Sequence, residues 1–190
     1  MSQEAPGQLE AVRLFVNTVD LEAPQDDRLP TPEALVAWLA EHALLDPGAT
    51  AGAADLRRAV ELREALRELL LTHHGDHEAD PAAVATVDAI AERSRLGLRF
   101  ASAGVAHVAP AAGGVDGALG GLLAIVAAAQ ADGTWERLKA CPWSTCKWAF
   151  YDHSRNRSGV WCNMAVCGNR AKAQAFRARK RGEHAHEAAG

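Results

Sequence analysis

The stretch Cys141-Pro-Trp-Ser-Thr-Cys146, together with Trp161-Cys162-Asn-Met-Ala-Val-Cys167-Gly-Asn-Arg170 further along, contains every cysteine of the 190-residue chain. The cysteines form two pairs with four residues inside each pair, and 15 residues separate the pairs. This spacing is typical of a tetrahedral zinc site, because Zn–S bonds of about 2.3 Å require four sulfurs around one ion. We therefore predict one structural Zn²⁺ held by Cys141, Cys146, Cys162 and Cys167.

Two other uses of the four cysteines stay open from the sequence. Disulfide bonds are typical of small secreted chains, and this chain is longer and begins without the basic and apolar regions of a signal peptide. An iron–sulfur cluster also takes four thiolates, so the ligands alone do not distinguish it from zinc. An ion with four cysteine ligands has no open position, which indicates a structural and not a catalytic metal.

Charge is divided unevenly along the chain, although the net charge is only −4. Residues 1–134 carry nine arginines and twenty acidic residues, a net charge of −11. Residues 135–182 carry eleven basic and two acidic residues, a net charge of +9, with aromatic residues among them. A compact basic segment that also carries aromatic residues predicts nucleic-acid binding. A basic face that only maintains solubility is the alternative.

Four short motifs surround the cysteines: Arg137-Leu-Lys-x-Cys141, Cys146-x-Trp148-x-Phe150-Tyr151-Asp152-x-Ser154-Arg155-Asn156-x-Ser158, Trp161-Cys162-x-Met164 and Cys167-Gly168-Asn169-Arg170-Ala-Lys172. This segment of about 45 residues resembles the CGNR zinc finger family. The resemblance implies a DNA-binding module of bacterial transcription regulators. Gly159 and Val160 stand where many relatives carry a basic pair, which removes charge from this loop.

The N-terminal part of the chain also carries recognisable motifs. They are Phe15-Val-Asn-Thr-Val-Asp20 and Thr31-Pro32-x-x-Leu35-x-x-Trp38-Leu39. Residues 14–131 resemble the ABATE domain, a stress-regulator-like domain that usually precedes the CGNR finger. The resemblance implies that this domain receives a small-molecule effector or a partner subunit.

Apolar periodicity predicts a mainly α fold. Helical spacing is found over residues 8–20, from Pro32, over 53–72, over 80–95 and over 116–132, and alternation over 96–109 predicts a β-hairpin with its turn near 102–104. The last of these helices is apolar around most of its circumference, so we expect it at the centre. The prediction is an N-terminal helical bundle with one β-hairpin (8–133), a small zinc-stabilised ββα-like finger (135–182) and a disordered tail (183–190).

Within the finger, residues 147–151 and 159–161 alternate well enough to predict a small hairpin, and 168–181 have helix-forming composition. Asn163 is expected to cap the turn that carries Cys167. The linker after Gly133 is short, so we expect the finger to pack against the bundle.

The predicted function is that of a zinc-dependent transcription regulator whose finger binds double-stranded DNA. The predicted contact residues are Arg155, Arg157, Asn169, Arg170, Lys172, Arg177, Arg179, Lys180 and Arg181. Most of them would hold phosphates, while Asn169 or Arg170 would read bases; a helix N-cap is the other role open to Asn169. A zinc-stabilised adaptor for protein partners and an RNA-binding protein are the alternatives, and a homodimer stays open.

Two polar clusters allow further interpretations. His73-His-Gly-Asp-His77 could bind a metal or form an exposed polar turn, and the polar pair Asn17-Thr18 could contact a small ligand or bond to nearby backbone. No nucleophile–base motif or phosphate-binding loop is visible, so no enzymatic activity is predicted. The longest apolar run, 118–129, is shorter than the ~20 residues of a membrane span. With free thiolates this predicts a cytoplasmic protein.

Overall fold

The computed structural model describes residues 3–75 and 78–187, with side chains up to residue 181. The described residues form six α-helices and two antiparallel two-stranded sheets, which confirms the mainly α prediction. The helices are α1 Leu9–Val16, α2 Pro32–Glu41, α3 Ala53–Leu71, α4 Pro81–Arg93, α5 Gly114–Asp132 and α6 Asn169–Glu187. The strands are β1 Gly97–Phe100, β2 Ala106–Ala109, β3 Leu138–Ala140 and β4 Ala149–Tyr151, and β1 pairs with β2 and β3 with β4.

Two helices begin at the caps that the sequence indicates. The Thr31 hydroxyl accepts a hydrogen bond from the Ala34 N–H at 3.2 Å, and a carboxylate oxygen of Asp80 accepts one from Ala82 at 2.9 Å. A proline follows each cap, where its missing N–H costs nothing.

Helix α5 is the central helix of the N-terminal domain, as predicted. Its length and composition would suffice to cross a membrane. Leu119 and Leu122 are nevertheless fully buried, and the helix packs against α1, α3, α4 and β2. Gly120 allows the close approach to α4, because a Cβ there would lie 2.4 Å from the Cβ of Ser94. We therefore assign α5 to the core.

The β1–β2 hairpin also lies where it is predicted. Its strands run from Gly97 to Ala109, and the turn between them contains Gly104 at a φ of +75°. The positive φ explains a glycine at this point of the turn. The side chains of Leu98, Phe100 and Val105 are largely exposed, so the hairpin lies over the core without filling it.

The finger packs directly against the N-terminal domain, which confirms the expectation from the short linker. Leu138 and Ala140 of β3 and Ala149 and Tyr151 of β4 belong to the same buried cluster as the helices of the bundle. Strands β3 and β4 of the finger are therefore part of the N-terminal core, whereas the cysteines belong to a separate buried cluster.

The predicted hairpin of the finger is wrong in one of its strands. Strand β4 pairs with β3, which precedes the cysteines, and not with residues 159–161. The segment near Gly159 is held instead by side chains. The buried ammonium of Lys139 donates to the Gly159 carbonyl at 3.0 Å, and the Gly159 N–H donates to Asp152 at 2.8 Å. A Cβ at Gly159 would lie 2.7 Å from the Asp152 carboxyl carbon, which explains the glycine.

The C-terminal segment differs from the prediction as well. Helix α6 continues to Glu187, into the range 183–190 for which a disordered tail is predicted. Alanine, histidine and glutamate after Gly182 extend the helical composition of the preceding turns. Residues 188–190 lie outside the described residues.

Polar side chains of the bundle hold the first half of the finger. The buried Asn17 amide donates to the Ala149 carbonyl at 2.8 Å and accepts from the Ala149 N–H at 2.8 Å. The Thr18 hydroxyl donates to the Phe15 carbonyl at 2.9 Å. The prediction that this polar pair bonds to the backbone is confirmed. The backbone partner of Asn17, however, belongs to β4, 132 residues away in sequence.

His73 and His74 also bond to the finger. Nδ1 of His73 lies 2.7 Å from the Leu138 carbonyl oxygen, and Nε2 of His74 lies 2.7 Å from that of Ala140. Both side chains are half-buried and bond to backbone carbonyls. For these two residues, the predicted metal site and the predicted exposed turn are therefore both wrong. His77 lies outside the described residues.

Acidification is expected to lower the thermal stability through His73. Burial lowers the pKa of this imidazole below its usual value near 6.5, although the bond to Leu138 and the charge of Glu136 act in the opposite direction. The unfolded chain therefore binds a proton more readily. The stability due to neutral His73 is complete above about pH 6.5 and is lost as the pH falls further.

Melting temperatures between about pH 7.5 and 5.5 should fall less steeply for His73→Gln than for the wild type. The glutamine amide can still donate to Leu138 but does not titrate. Equal pH dependence of both proteins would contradict this role of His73.

Candidate metal centre and nucleic-acid interface

The structure brings the four predicted cysteine ligands together. All four Sγ atoms lie within 4.8 Å of one another, and two of the separations are 3.5 Å (Cys146–Cys162) and 3.8 Å (Cys162–Cys167). Sulfurs bound tetrahedrally at about 2.3 Å from one ion lie about 3.8 Å apart. A disulfide bond would require about 2.0 Å. The arrangement therefore fits a four-coordinate metal ion, and the disulfide alternative does not fit it.

The first cysteine pair lies on a tight turn that follows β3. The Cys141 N–H donates to the Trp148 carbonyl at 2.9 Å, and the Cys146 N–H donates to the Trp143 carbonyl at 3.0 Å. Lys147 takes a positive φ of 48°, which reverses the chain after Cys146. The turn thereby directs both sulfurs toward one point.

The second pair depends on a π-helical turn, Met164–Gly168. The Asn163 side chain accepts from the Ala165 N–H at 2.9 Å, as predicted for a cap, and the Asn163 carbonyl accepts from Cys167 at 2.9 Å. These bonds position Cys167 immediately before α6. The direction of α6 is therefore set by the metal centre.

Aromatic side chains surround the sulfurs. Trp143, Trp148 and Trp161 pack against the cluster, and Cys141, Cys146 and Cys167 are buried. Gly168 permits this packing, because a Cβ there would lie 2.4 Å from the Met164 sulfur and 3.2 Å from the Trp161 ring. Three of the four cysteines are thus buried and Cys162 is half-buried, which suits a structural ion.

The thiols cannot all ionise without a cation. Hydrogen bonds from Cys146 and Cys162 lower the pKa of Cys141 well below that of a free thiol. The same bonds to Cys141 raise the pKa of Cys146 and of Cys162, and burial raises the pKa of Cys167. A dication would supply the charge that four thiolates need.

The predicted nucleic-acid contacts fall into two groups. The first group lies on α6 and is exposed: Lys172, Arg177, Arg179, Lys180 and Arg181. Phe176 is also exposed, with the Lys180 ammonium 5.8 Å from its ring centre. Helix α6 therefore presents five positive charges to solvent.

The second group is tied to acidic residues, with the exception of exposed Arg155. Arg157 forms an ion pair with Glu136, and Arg170 forms one with Glu22 of the N-terminal domain. The same Glu22 carboxylate accepts from the Thr145 hydroxyl at 3.0 Å. The arginine of the family motif is therefore held by the N-terminal domain.

Asn169 does not act as a helix N-cap in this structure. Its side-chain amide donates to the Ala165 carbonyl at 3.0 Å, so it supports the π-helical turn from its C-terminal end. The capping role belongs to Asn163.

Lys139 and Asp152 are structural residues that the charge pattern did not reveal. Lys139 is only 4% exposed, and its ammonium lies 2.9 Å from Asp152 and 2.6 Å from the Arg157 carbonyl. Burial acts to raise the pKa of the Asp152 carboxyl, but hydrogen bonds from Ser154 and Lys139 hold it well below its usual range. This pair shapes the loop that carries Arg155 and Arg157. The sequence Asp152-His-Ser154 is typical of a turn held by the aspartate side chain, and it is the sequence signal that could have indicated a structural role for Asp152.

Two family models match the chain. Residues 137–180 match "CGNR zinc finger", and residues 10–133 match ABATE, described as "Putative stress-induced transcription regulator". Neither description names an enzymatic activity, and no curated protein matches the chain. The ABATE match alone covers more than half of the 190 residues. The chain therefore belongs to the ABATE family, with a CGNR zinc finger following the ABATE domain.

Proposed function

We propose that this protein is a cytoplasmic, non-enzymatic transcription regulator that binds double-stranded DNA through its zinc-stabilised finger. The observation that carries the proposal is the set of exposed basic side chains on α6, a helix that begins at the metal centre. The N-terminal domain has the opposite charge and would be repelled by the duplex, so the finger is the part that approaches DNA. The N-terminal domain is the place for an effector or for a second protomer.

Zinc is the ion that best suits the four sulfurs. Cys141, Cys146, Cys162 and Cys167 would hold one Zn²⁺, whose binding contributes about 10–16 kcal/mol of apparent free energy in small fingers. The ion would join the turn of residues 141–146 to that of residues 162–167, and the buried cysteines of these turns form a cluster separate from the core of the bundle. Its role is to fix the start and direction of α6.

The α6 side chains would neutralise phosphates and provide most of the affinity. Arg170 can take part only after it leaves Glu22, so DNA and the N-terminal domain compete for it. This pair is exposed to solvent, so its release costs little and DNA phosphates can take the place of the carboxylate.

Anisotropy titrations with labelled duplex DNA, single-stranded DNA and RNA test the proposal. We expect duplex binding that a chelator removes, with a log affinity that falls by about 0.9 per neutralised phosphate for each tenfold rise in salt. Zinc-loaded protein that binds no nucleic acid at low salt would overturn it. Preference for RNA over duplex would favour the RNA-binding alternative.

An adaptor for acidic proteins is the second candidate, and a specific observation favours it. Finger cations already bind carboxylates of the N-terminal domain: Arg170 pairs with Glu22, and the Lys147 ammonium lies 2.7 Å from Glu68. An acidic partner could make the same contacts in another molecule. Binding to an acidic protein that duplex DNA does not compete away would move this function to first place.

A further inference from the structure

A cleft of about 620 Å³ lies between the first cysteine turn and α6. Trp143 lines it from the turn, and Gln174, Arg177, Lys180 and Arg181 line it from the helix. Residues 174, 177 and 181 recur at three- and four-residue intervals, which places them on one face of α6. The cleft is therefore aromatic on one side and basic on the other.

The charges in this cleft are available to a ligand. Among the described residues that line it, none is acidic. Arg157 and Arg170 differ in this respect, because Glu136 and Glu22 already occupy them. Lys172 and Arg179 are exposed on the same helix but do not line the cleft. Helix α6 therefore carries exposed cations of two kinds: those that line the cleft, such as Arg177 and Arg181, and those that do not, Lys172 and Arg179.

Trp143 is held in place by the metal-binding turn. Its carbonyl accepts from the Cys146 and Lys147 N–H groups at 3.0 and 3.3 Å, and its side chain packs against the cysteine cluster. The indole is half-buried, so it offers a fixed apolar surface with little entropy to lose on contact. The shape of the cleft depends on the metal centre, because both of its walls begin there.

We propose that this cleft binds one strand of the DNA backbone, with phosphates on Arg177, Lys180 and Arg181 and a deoxyribose against the Trp143 indole. The assignment rests on the proposed DNA-binding function. The backbone alternates anionic phosphates with apolar sugar faces, and the cleft offers cations along α6 opposite one apolar ring. Arg177 and Arg181 lie one helical turn apart, about 6 Å, so they reach successive positions along a strand.

Two double variants with equal charge loss test the assignment. Arg177→Gln with Arg181→Gln removes two cleft charges, and Lys172→Gln with Arg179→Gln removes two charges elsewhere on the same helix. We expect the cleft variant to bind duplex DNA at least about tenfold more weakly and to lose about 1.8 from its salt slope. The control variant also removes exposed charge from α6, so it should lose some affinity and some salt slope, but clearly less of each than the cleft variant.

Trp143→Ala supplies a separate readout. It should weaken duplex binding about fivefold while leaving the salt slope unchanged, because it removes apolar contact and no charge. Trp143→Phe should restore most of the affinity. Zinc content is measured for both variants, and the decision rests on the two double variants if Trp143→Ala binds less than one zinc per chain.

The outcomes separate this assignment from the proposed function. Equal losses of duplex affinity in the two double variants would overturn the assignment of the cleft, while DNA binding by the finger would remain supported. A defect confined to single-stranded DNA overturns the duplex contact and indicates stacking of unpaired bases on Trp143. Wild-type protein that binds no DNA overturns the proposed function itself.

Discussion

Cys146→Ser is expected to abolish metal binding and DNA binding while leaving the N-terminal domain folded. The substitution removes one of four sulfurs that lie within 4.8 Å of one another, and the site then loses its closed coordination shell. Binding to duplex DNA should disappear over the concentration range in which the wild type saturates, because α6 loses its fixed direction. Metal content, duplex binding and helix content by circular dichroism provide the three measurements.

The structure also predicts which part of the finger remains ordered in this variant. Strands β3 and β4 bury Leu138 and Ala149 in the core of the bundle, and His74 and Asn17 bond to their backbone. We therefore expect hydrogen exchange to become rapid in residues 141–148 and 161–168, while β3 and most of β4 stay protected. Loss of protection in both strands would show that the metal stabilises the whole finger.

Ser144→Ala is the matched control for the cysteine variant. Ser144 lies in the same turn but is exposed, and the substitution should leave zinc content and DNA affinity unchanged. Cys146→Ser protein that retains one zinc and full DNA affinity would contradict the assignment of the ligands.

The metal centre could be predicted because its signal is local in the sequence. Each cysteine pair closes a short turn, so the spacing alone reveals that two sulfurs point the same way. The partner of β4 could not be predicted in this way. The three residues of β3 carry no strand pattern of their own, and the bundle selects them by burying Leu138 and by bonding to its carbonyl through His73. Tertiary contacts decide whether such a short segment forms a strand and which strand it pairs with.

The nucleic-acid surface was predicted from the number of basic residues in the finger. In the structure, some of these residues are buried or paired with acidic side chains, and the others are exposed and unpaired. A sequence count weights every basic residue alike. Lys139 is buried against Asp152, and Arg157 and Arg170 are paired. Among the described predicted contacts, only Arg155 and the α6 positions from Lys172 onward present unpaired charge. Burial and pairing depend on residues distant in sequence, so the count could not separate these groups.

Arg67→Met is expected to cause the second large effect, a loss of about 3–5 kcal/mol in the free energy of unfolding. Arg67 lies on α3 and is only 1% exposed. Its guanidinium donates to the Val16 carbonyl at 2.6 Å, to the Lys147 carbonyl at 3.0 Å and to Glu64 at 3.0 Å. Methionine fills a similar volume but leaves two carbonyls without a donor. The melting temperature should fall by about 10 °C, since 1 kcal/mol corresponds to about 2–4 °C at this chain length.

Arg57→Met is the matched control, because Arg57 lies on the same helix and is exposed. It should change the free energy of unfolding by about 0.5 kcal/mol or less. Equal melting temperatures for Arg67→Met and the wild type would show that Arg67 does not hold the two domains together.

Arg67 should also couple the bundle to the metal centre. It binds a carbonyl of α1 and the carbonyl of Lys147, the residue that follows the ligand Cys146. Arg67→Met should therefore release zinc faster to a chelator, and its stability loss should be smaller in the Cys146→Ser background, where the turn is already free. Additive losses in the double variant would mean that the bundle and the metal stabilise the finger independently. A non-additive result would give the N-terminal domain a physical route by which an effector could alter the start of α6 and its affinity for DNA.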